Sequence, residues 1–249
     1  MSDFNRGISR PTPAAADMAV DAGLRRFMLG VYNKVGLGLV LSAALAWVTG
    51  TYQPVQQYLF SVDQDTGKVG YTVLGMVVAF APLAILLFQA FMRKTSPQAA
   101  AITYWVIVTL IGASFGMLFI FYTDVSIFET FLVTAAAFGG LSLVGYTTKR
   151  DLSGMRGFLI MGLFGLFFAM LASFFFHSAA LVFAINLIGV LIFAGLIAYN
   201  TQRLKMTYYQ LGGDQAAMSV ATSYGALSLY LDFVNLFRFL LYFMGGARR

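Results

Sequence analysis

"LYLDFVNLFRFLLYFMGG", Leu229 to Gly246, is apolar or aromatic at almost every position, yet it carries Asp232, Asn235 and Arg238. Its bulk is that of a helix that crosses a membrane, and the rest of the chain agrees. Of 249 residues, 59% are hydrophobic and 10% charged, whereas a soluble domain carries about a quarter charged residues. The apolar residues also arrive in blocks of about twenty, the length that crosses a hydrocarbon core of about 30 Å as a helix. The composition predicts an all-α polytopic membrane protein.

Seven such blocks stand out, at 31–51, 71–91, 102–122, 127–146, 157–177, 179–199 and 224–244. Residues 1–30 are expected to form a mobile cytosolic tail, and 31–249 a single seven-helix transmembrane domain. The tail has no early apolar core followed by a small-residue cleavage site, so a removable signal peptide is not expected. Short connections make successive helices antiparallel neighbours. Only Tyr52–Gly70 and Asn200–Thr222 leave room for longer loops.

Basic residues orient the spans. Arg6, Arg10, Arg25, Arg26 and Lys34 precede or begin the first span. Arg93 and Lys94 follow the second, Lys149, Arg150 and Arg156 the fourth, and Arg203 and Lys205 the sixth. The opposite loops hold Lys68 alone, beside Asp63, Asp65, Asp124 and Glu129. The N-terminus is therefore expected in the cytosol. The formal net charge of +6 serves topology and anionic headgroups, and no nucleic-acid role is needed to explain it. Seven full spans leave Arg248 and Arg249 outside, against this bias, and a re-entrant last segment would return them. Twenty-one residues suffice to cross, so seven spans are expected.

Catalysis finds little support. The chain has no cysteine and one histidine, His177, at a turn on the outer side. Ser142 in "GGLSLVG" lacks the Gly-x-Ser-x-Gly spacing of a nucleophile elbow and belongs to a span leading to the other side. Within the spans Asp232 is the one aspartate, where an intramembrane aspartyl protease needs two. His, Cys and carboxylate ligands are too sparse for a zinc site. The chain is read as a non-enzyme without a cofactor. "GASFG" at Gly112–Gly116 has the small-xxx-small spacing of close helix packing.

Asp232 is the residue that needs explaining. A charged carboxylate in hydrocarbon costs about 2.5–3.5 kcal/mol on insertion scales, so it faces the bundle interior, a partner or a hydrated path. Asn235 lies three residues on, on the same helix face. Arg238 lies about 9 Å along the axis and roughly 120° around it, too far round to pair with Asp232. Two readings remain: a structural polar bridge between helices, or an ion or proton pathway with Asp232 as its controlling charge.

"GYTTKRDLSG" at Gly145–Gly154, "AYNTQRLK" at Ala198–Lys205 and "ALSLYLDFVNLF" at Ala226–Phe237 resemble segments of the bacterial branch of the Bax inhibitor family of transmembrane proteins. With the span count and the basic tail, the likeness covers the chain from about residue 25. The resemblance implies seven helices with the C-terminal one central, wrapped by the others, and a pH-sensitive calcium leak in the bacterial inner membrane governed by two aspartates. One is Asp232. The other position holds Asn200 here, and the family's basic partner falls on Arg93. The family's arginine one turn beyond Arg238 is replaced by Tyr242. Two carboxylates sharing a site titrate as a coupled unit. An asparagine has nearly the same shape but does not ionise. A blunted or shifted pH switch and weaker cation binding are therefore expected.

Two functions follow. The first is a cation leak channel or transporter, with Asp232 as gate or calcium ligand, Asn200 as its altered partner, Arg93 as a closed-state latch, and Asn235 and Arg238 as auxiliaries. The second is a regulator that binds another membrane protein, such as a membrane-anchored protease, through the tail Met1–Arg26.

Overall fold

The computed structural model describes residues 13–62, 69–91, 95–176 and 178–246. Helix α1 spans Pro13–Thr51, followed by a short α2 (Gln53–Leu59) and a hairpin of β1 (Phe60–Val62) with β2 (Val69–Tyr71). Then come α3 (Val73–Ala90), α4 (Pro97–Ser114), α5 (Gly116–Phe121) and α6 (Asp124–Thr147). A single 3₁₀ turn, Ser153–Met155, leads into α7 (Arg156–Phe175), and α8 (Ala179–Gln210) and α9 (Gln215–Met244) complete the bundle.

Local chemistry sets the helix starts. Thr72, Ser96, Thr123 and Ser178 each accept a backbone N–H from the first turn of α3, α4, α6 and α8. Asp214 accepts two at the head of α9. These side-chain oxygens satisfy amide groups that a helix leaves open. Pro97 opens α4, where its missing N–H costs nothing. The reversal between α8 and α9 is only Leu211–Asp214, made possible by Gly212 and Gly213 at φ +57° and +90°.

Among the described residues, six helices are long and apolar enough to cross a membrane. The second expected span, 71–91, is instead Val73–Gln89, an apolar helix below that length, because the hairpin takes the residues before it. Its two ends lie far apart in the bundle. Tyr71 Oη donates to the carbonyl of Ser114 at the end of α4, and Thr95 Oγ1 accepts from Tyr224 in the first third of α9. The loop expected at Tyr52–Gly70 holds α2 and β1 and the start of β2.

The Asn200–Thr222 loop is corrected further. Helix α8 outlasts its apolar stretch and carries Asn200 within it. At about 1.5 Å per residue, α8 and α9 are about 45–48 Å long, so both project beyond a hydrocarbon core. Packed structure also begins before residue 30, since Leu24, Phe27 and Met28 of α1 are core residues.

The C-terminal helix is the axis of the bundle. In α9, 56% of its most apolar window is buried, against 11–28% in the other five long helices. It packs on α8, α1, α4 and α6, and a helix apolar on all sides is one that is surrounded. It is unbroken from Gln215 to Met244. Its far end is tied to the start of α6, where Gly246 N–H donates to Ser126 Oγ at 2.9 Å. One end of the bundle is thus marked by Tyr122 and Gly246, the other by Tyr146 and Gln215.

Candidate functional site

Asp232 and Asn200 meet inside the bundle. The Asn200 amide, from α8, donates to Asp232 Oδ2, from α9, at 2.6 Å, and each residue is 5% exposed. Residues 32 apart in sequence meet because α8 and α9 fold back on each other over the Gly212–Gly213 turn. The register is tight: Leu204 of α8 occupies the space beside Gly225, and the Phe239 ring of α9 covers Gly189. Asp232 thus points into protein and away from lipid. Among the described residues it forms no ion pair. Arg203, one turn beyond Asn200, is placed to act on it electrostatically.

The other expected residues fall elsewhere. Asn235 turns back to its own helix, its amide donating to the Leu231 carbonyl at 2.8 Å. With Arg238, Asn186 and Phe239 it lines a separate cavity of about 220 Å³. Arg238 sits 6.0 Å from the centre of the Phe115 ring and does not reach Asp232. Arg93 lies outside the described residues, as do His177, Arg248 and Arg249. Calcium takes six to eight oxygen ligands, and the pair supplies only one carboxylate and one amide. No group of three metal-binding side chains occurs among the described residues.

The two motifs "YTTKRDL" and "YNTQR" come together at the Tyr146 end. Gln202 grips the loop after α6 from both sides, donating to the Arg150 carbonyl at 2.8 Å and accepting the Leu152 N–H at 2.7 Å. Gly145 lies against the Ala198 backbone with no space for a side chain. This clamp fixes the end of α6 against α8 two residues from Asn200.

Sequence reasoning missed a second polar chain through the core. Lys34 Nζ donates to Ser223 Oγ at 2.7 Å, and Tyr104 Oη donates to the Lys34 carbonyl at 2.5 Å. Ser42 Oγ and Tyr230 Oη share a hydrogen bond of 2.6 Å, and Ser42 also donates to the Val108 carbonyl. These bonds join α1, α4 and α9. A separate buried row, Thr130, Thr134, Phe138 and Ser142, is spaced by four along α6 and takes no part in those bonds. That spacing puts three hydroxyls on one helix face.

Comparison with known proteins decides the family. A sequence model described as "Inhibitor of apoptosis-promoting Bax1", a Bax inhibitor family, matches residues 24–249. The chain belongs to the Bax inhibitor family. Bax inhibitor relatives share its whole length: a Caulobacter vibrioides protein is 60% identical over 250 residues, covering all of both chains. A Rickettsia prowazekii protein is 40% identical over the full length of both. The Escherichia coli inner membrane protein YbhL is 40% identical over 228 residues, 91% of this chain and 94% of its own. As a Bax inhibitor family member the protein is a multi-pass membrane protein, and Asp232 and Asn200 lie within the matched region.

Proposed function

We propose that this protein is a pH-sensitive cation leak pathway of the bacterial inner membrane, with calcium as its cargo and Asp232 as its controlling charge. The observation that carries the reading is a carboxylate in the middle of the central helix, met by a neutral amide instead of a cation. A buried acid in a membrane helix is costly, and an ion pair would be the usual way to offset the charge. Among the described residues no cation is fixed to Asp232 by an ion pair, so one in passage meets no bound competitor there. Protonation would remove the attraction for a cation and change the hydrogen bond to Asn200, which gives pH a direct hold on the path.

Asp232 and Asn200 are each 5% exposed and bonded to each other, so this arrangement is read as a closed state. Opening requires α8 and α9 to part at the pair. The Tyr146 end, where Lys149, Arg150, Arg203 and Lys205 gather, is taken as cytosolic, with the N-terminus on the same side. The separated ends of α3 support a seventh crossing. Arg93, following α3, is the candidate latch. The protein is read as a conduit, not an enzyme.

The test is calcium flux into vesicles carrying the purified protein, across a range of pH. Asp232→Asn is expected to abolish flux, or to lock it at one level at every pH. Asn200→Asp, which restores a second carboxylate, is expected to steepen and move the pH profile. Unchanged flux in Asp232→Asn sinks the reading. No flux from native protein at any pH, with the fold intact, leaves the partner-binding regulator as the better account.

A further inference from the structure

α1 and α6 scarcely touch. They meet where Tyr32 stands edge-on to Phe138, ring centres 6.3 Å apart. Toward the Tyr146 end the gap widens into a groove of about 480 Å³, within the roughly 300–1,000 Å³ of small-molecule sites. Met28, Leu29, Phe138 and Leu143 make its walls apolar. Gly139 keeps it open, with nothing within 4 Å of where a Cβ would stand.

Three polar features interrupt those walls. Arg25 is exposed and lines the groove, as does Tyr146. Lys205 stands behind Tyr146, its ammonium 5.6 Å from the ring centre and donating to the Tyr146 carbonyl at 3.3 Å. Ser142 is 5% exposed, also lines the groove, and its hydroxyl has no hydrogen-bond partner among the described residues. A helical hydroxyl ordinarily bonds the carbonyl one turn back, as Thr134 does to Thr130 in the same helix. Thr130 and Thr201 are open in the same way away from this groove, so the Ser142 hydroxyl adds a polar point to the wall without by itself requiring an occupant.

The required occupant is long, apolar along most of its length, and anionic at one end. A neutral lipid would leave the Arg25 guanidinium without a counter-charge, and a small free anion would leave the trough unfilled. We propose that the α1–α6 groove binds an anionic phospholipid. Its phosphate meets Arg25 beside Tyr146, and an acyl chain lies along Met28, Leu29 and Phe138. The site does not depend on the ion-flux reading. It does lie close to the carboxylate pair, because the Phe138 ring also packs against Phe233, 5.5 Å between centres, the residue next to Asp232.

The experiment is native mass spectrometry of the full chain in mild detergent, titrated with phosphatidylglycerol or with phosphatidylcholine of the same acyl chains. Phosphatidylglycerol is expected to bind on the order of tenfold more tightly, the factor carried by one charge-assisted hydrogen bond. Inorganic phosphate should not displace it. Arg25→Gln should bring phosphatidylglycerol down to the phosphatidylcholine level. Gly139→Leu, whose side chain enters open space, should weaken both lipids. Equal binding of the two lipids to native protein overturns the proposal. So does displacement by inorganic phosphate, which would indicate a free-anion site, or undiminished binding to Gly139→Leu.

Discussion

At the residue scale, the Asn200 amide stands between Asp232 and an unsatisfied burial. Asn200→Ala removes the one described hydrogen-bond donor to a 5% exposed carboxylate. A buried polar group left without its partner costs about 1–3 kcal/mol, more for a charged one. Thermal unfolding in detergent should register a loss of at least that size, and an unchanged midpoint would show that the bond contributes nothing to stability. Asp151, in the connection between α6 and α7, gives a clean pH probe outside the spans. It accepts from the Ser153 N–H at 2.8 Å and the Ser153 hydroxyl at 2.7 Å, and these bonds hold its carboxyl below the usual range. Because the folded value is depressed, the stabilisation of this turn is present above about pH 3.9 and disappears as pH falls through the folded value. Ser153→Ala should move the Asp151 titration, followed by NMR, upward toward the ordinary value while leaving part of the shift to the backbone bond.

At the element scale, small residues set how closely the helices approach. A side chain at Gly112 would meet the Ser42 backbone of α1 at 2.6 Å, and one at Gly116 would meet Gly50 N at 2.8 Å. The small-residue spacing of "GASFG" is therefore a packing feature, as expected from sequence. Gly112→Val should destabilise by about 1–3 kcal/mol, the usual penalty for overpacking. Gly165→Ala in α7, where a Cβ meets nothing within 4 Å, should be neutral or stabilising by up to about 1 kcal/mol. Equal midpoints for the two variants in one detergent series would contradict the contact geometry. The clamp at Gln202 belongs to the same scale. Gln202→Ala leaves the Leu152 N–H and the Arg150 carbonyl without their side-chain partner, and amide exchange in Asp151–Ser153 should speed up while α9 is unaffected.

At the scale of the whole molecule, topology is the open quantity, and the absence of cysteine makes it directly measurable. Single cysteines at Thr72 and Thr95 bracket α3. If α3 crosses the membrane, an impermeant thiol reagent added to intact cells should label one of them only. A cysteine replacing Ser153 should react only after the membrane is opened. Labelling of Thr72→Cys and Thr95→Cys from the same side would reduce the count to six.

The amino-acid sequence alone determined the class of the protein, because an apolar slab of about 30 Å admits only helices and closed barrels, and apolar blocks of about twenty residues are the length of a helix. It also singled out Asp232, since a charge in hydrocarbon is conspicuous without any fold, and the family motifs nominated Asn200 as its partner. Where each helix ends was less legible. Hydropathy follows lipid while a helix follows its hydrogen bonds, so α8 carries Asn200 past the apolar stretch. Only the tertiary structure decided that the Asn200 amide meets Asp232, that Asn235 turns away, and that Lys34, Ser42, Tyr104, Tyr230 and Ser223 form a second polar chain. Those facts depend on the rotation and register of helices packed from distant parts of the chain, and neither quantity is written in any local run of residues.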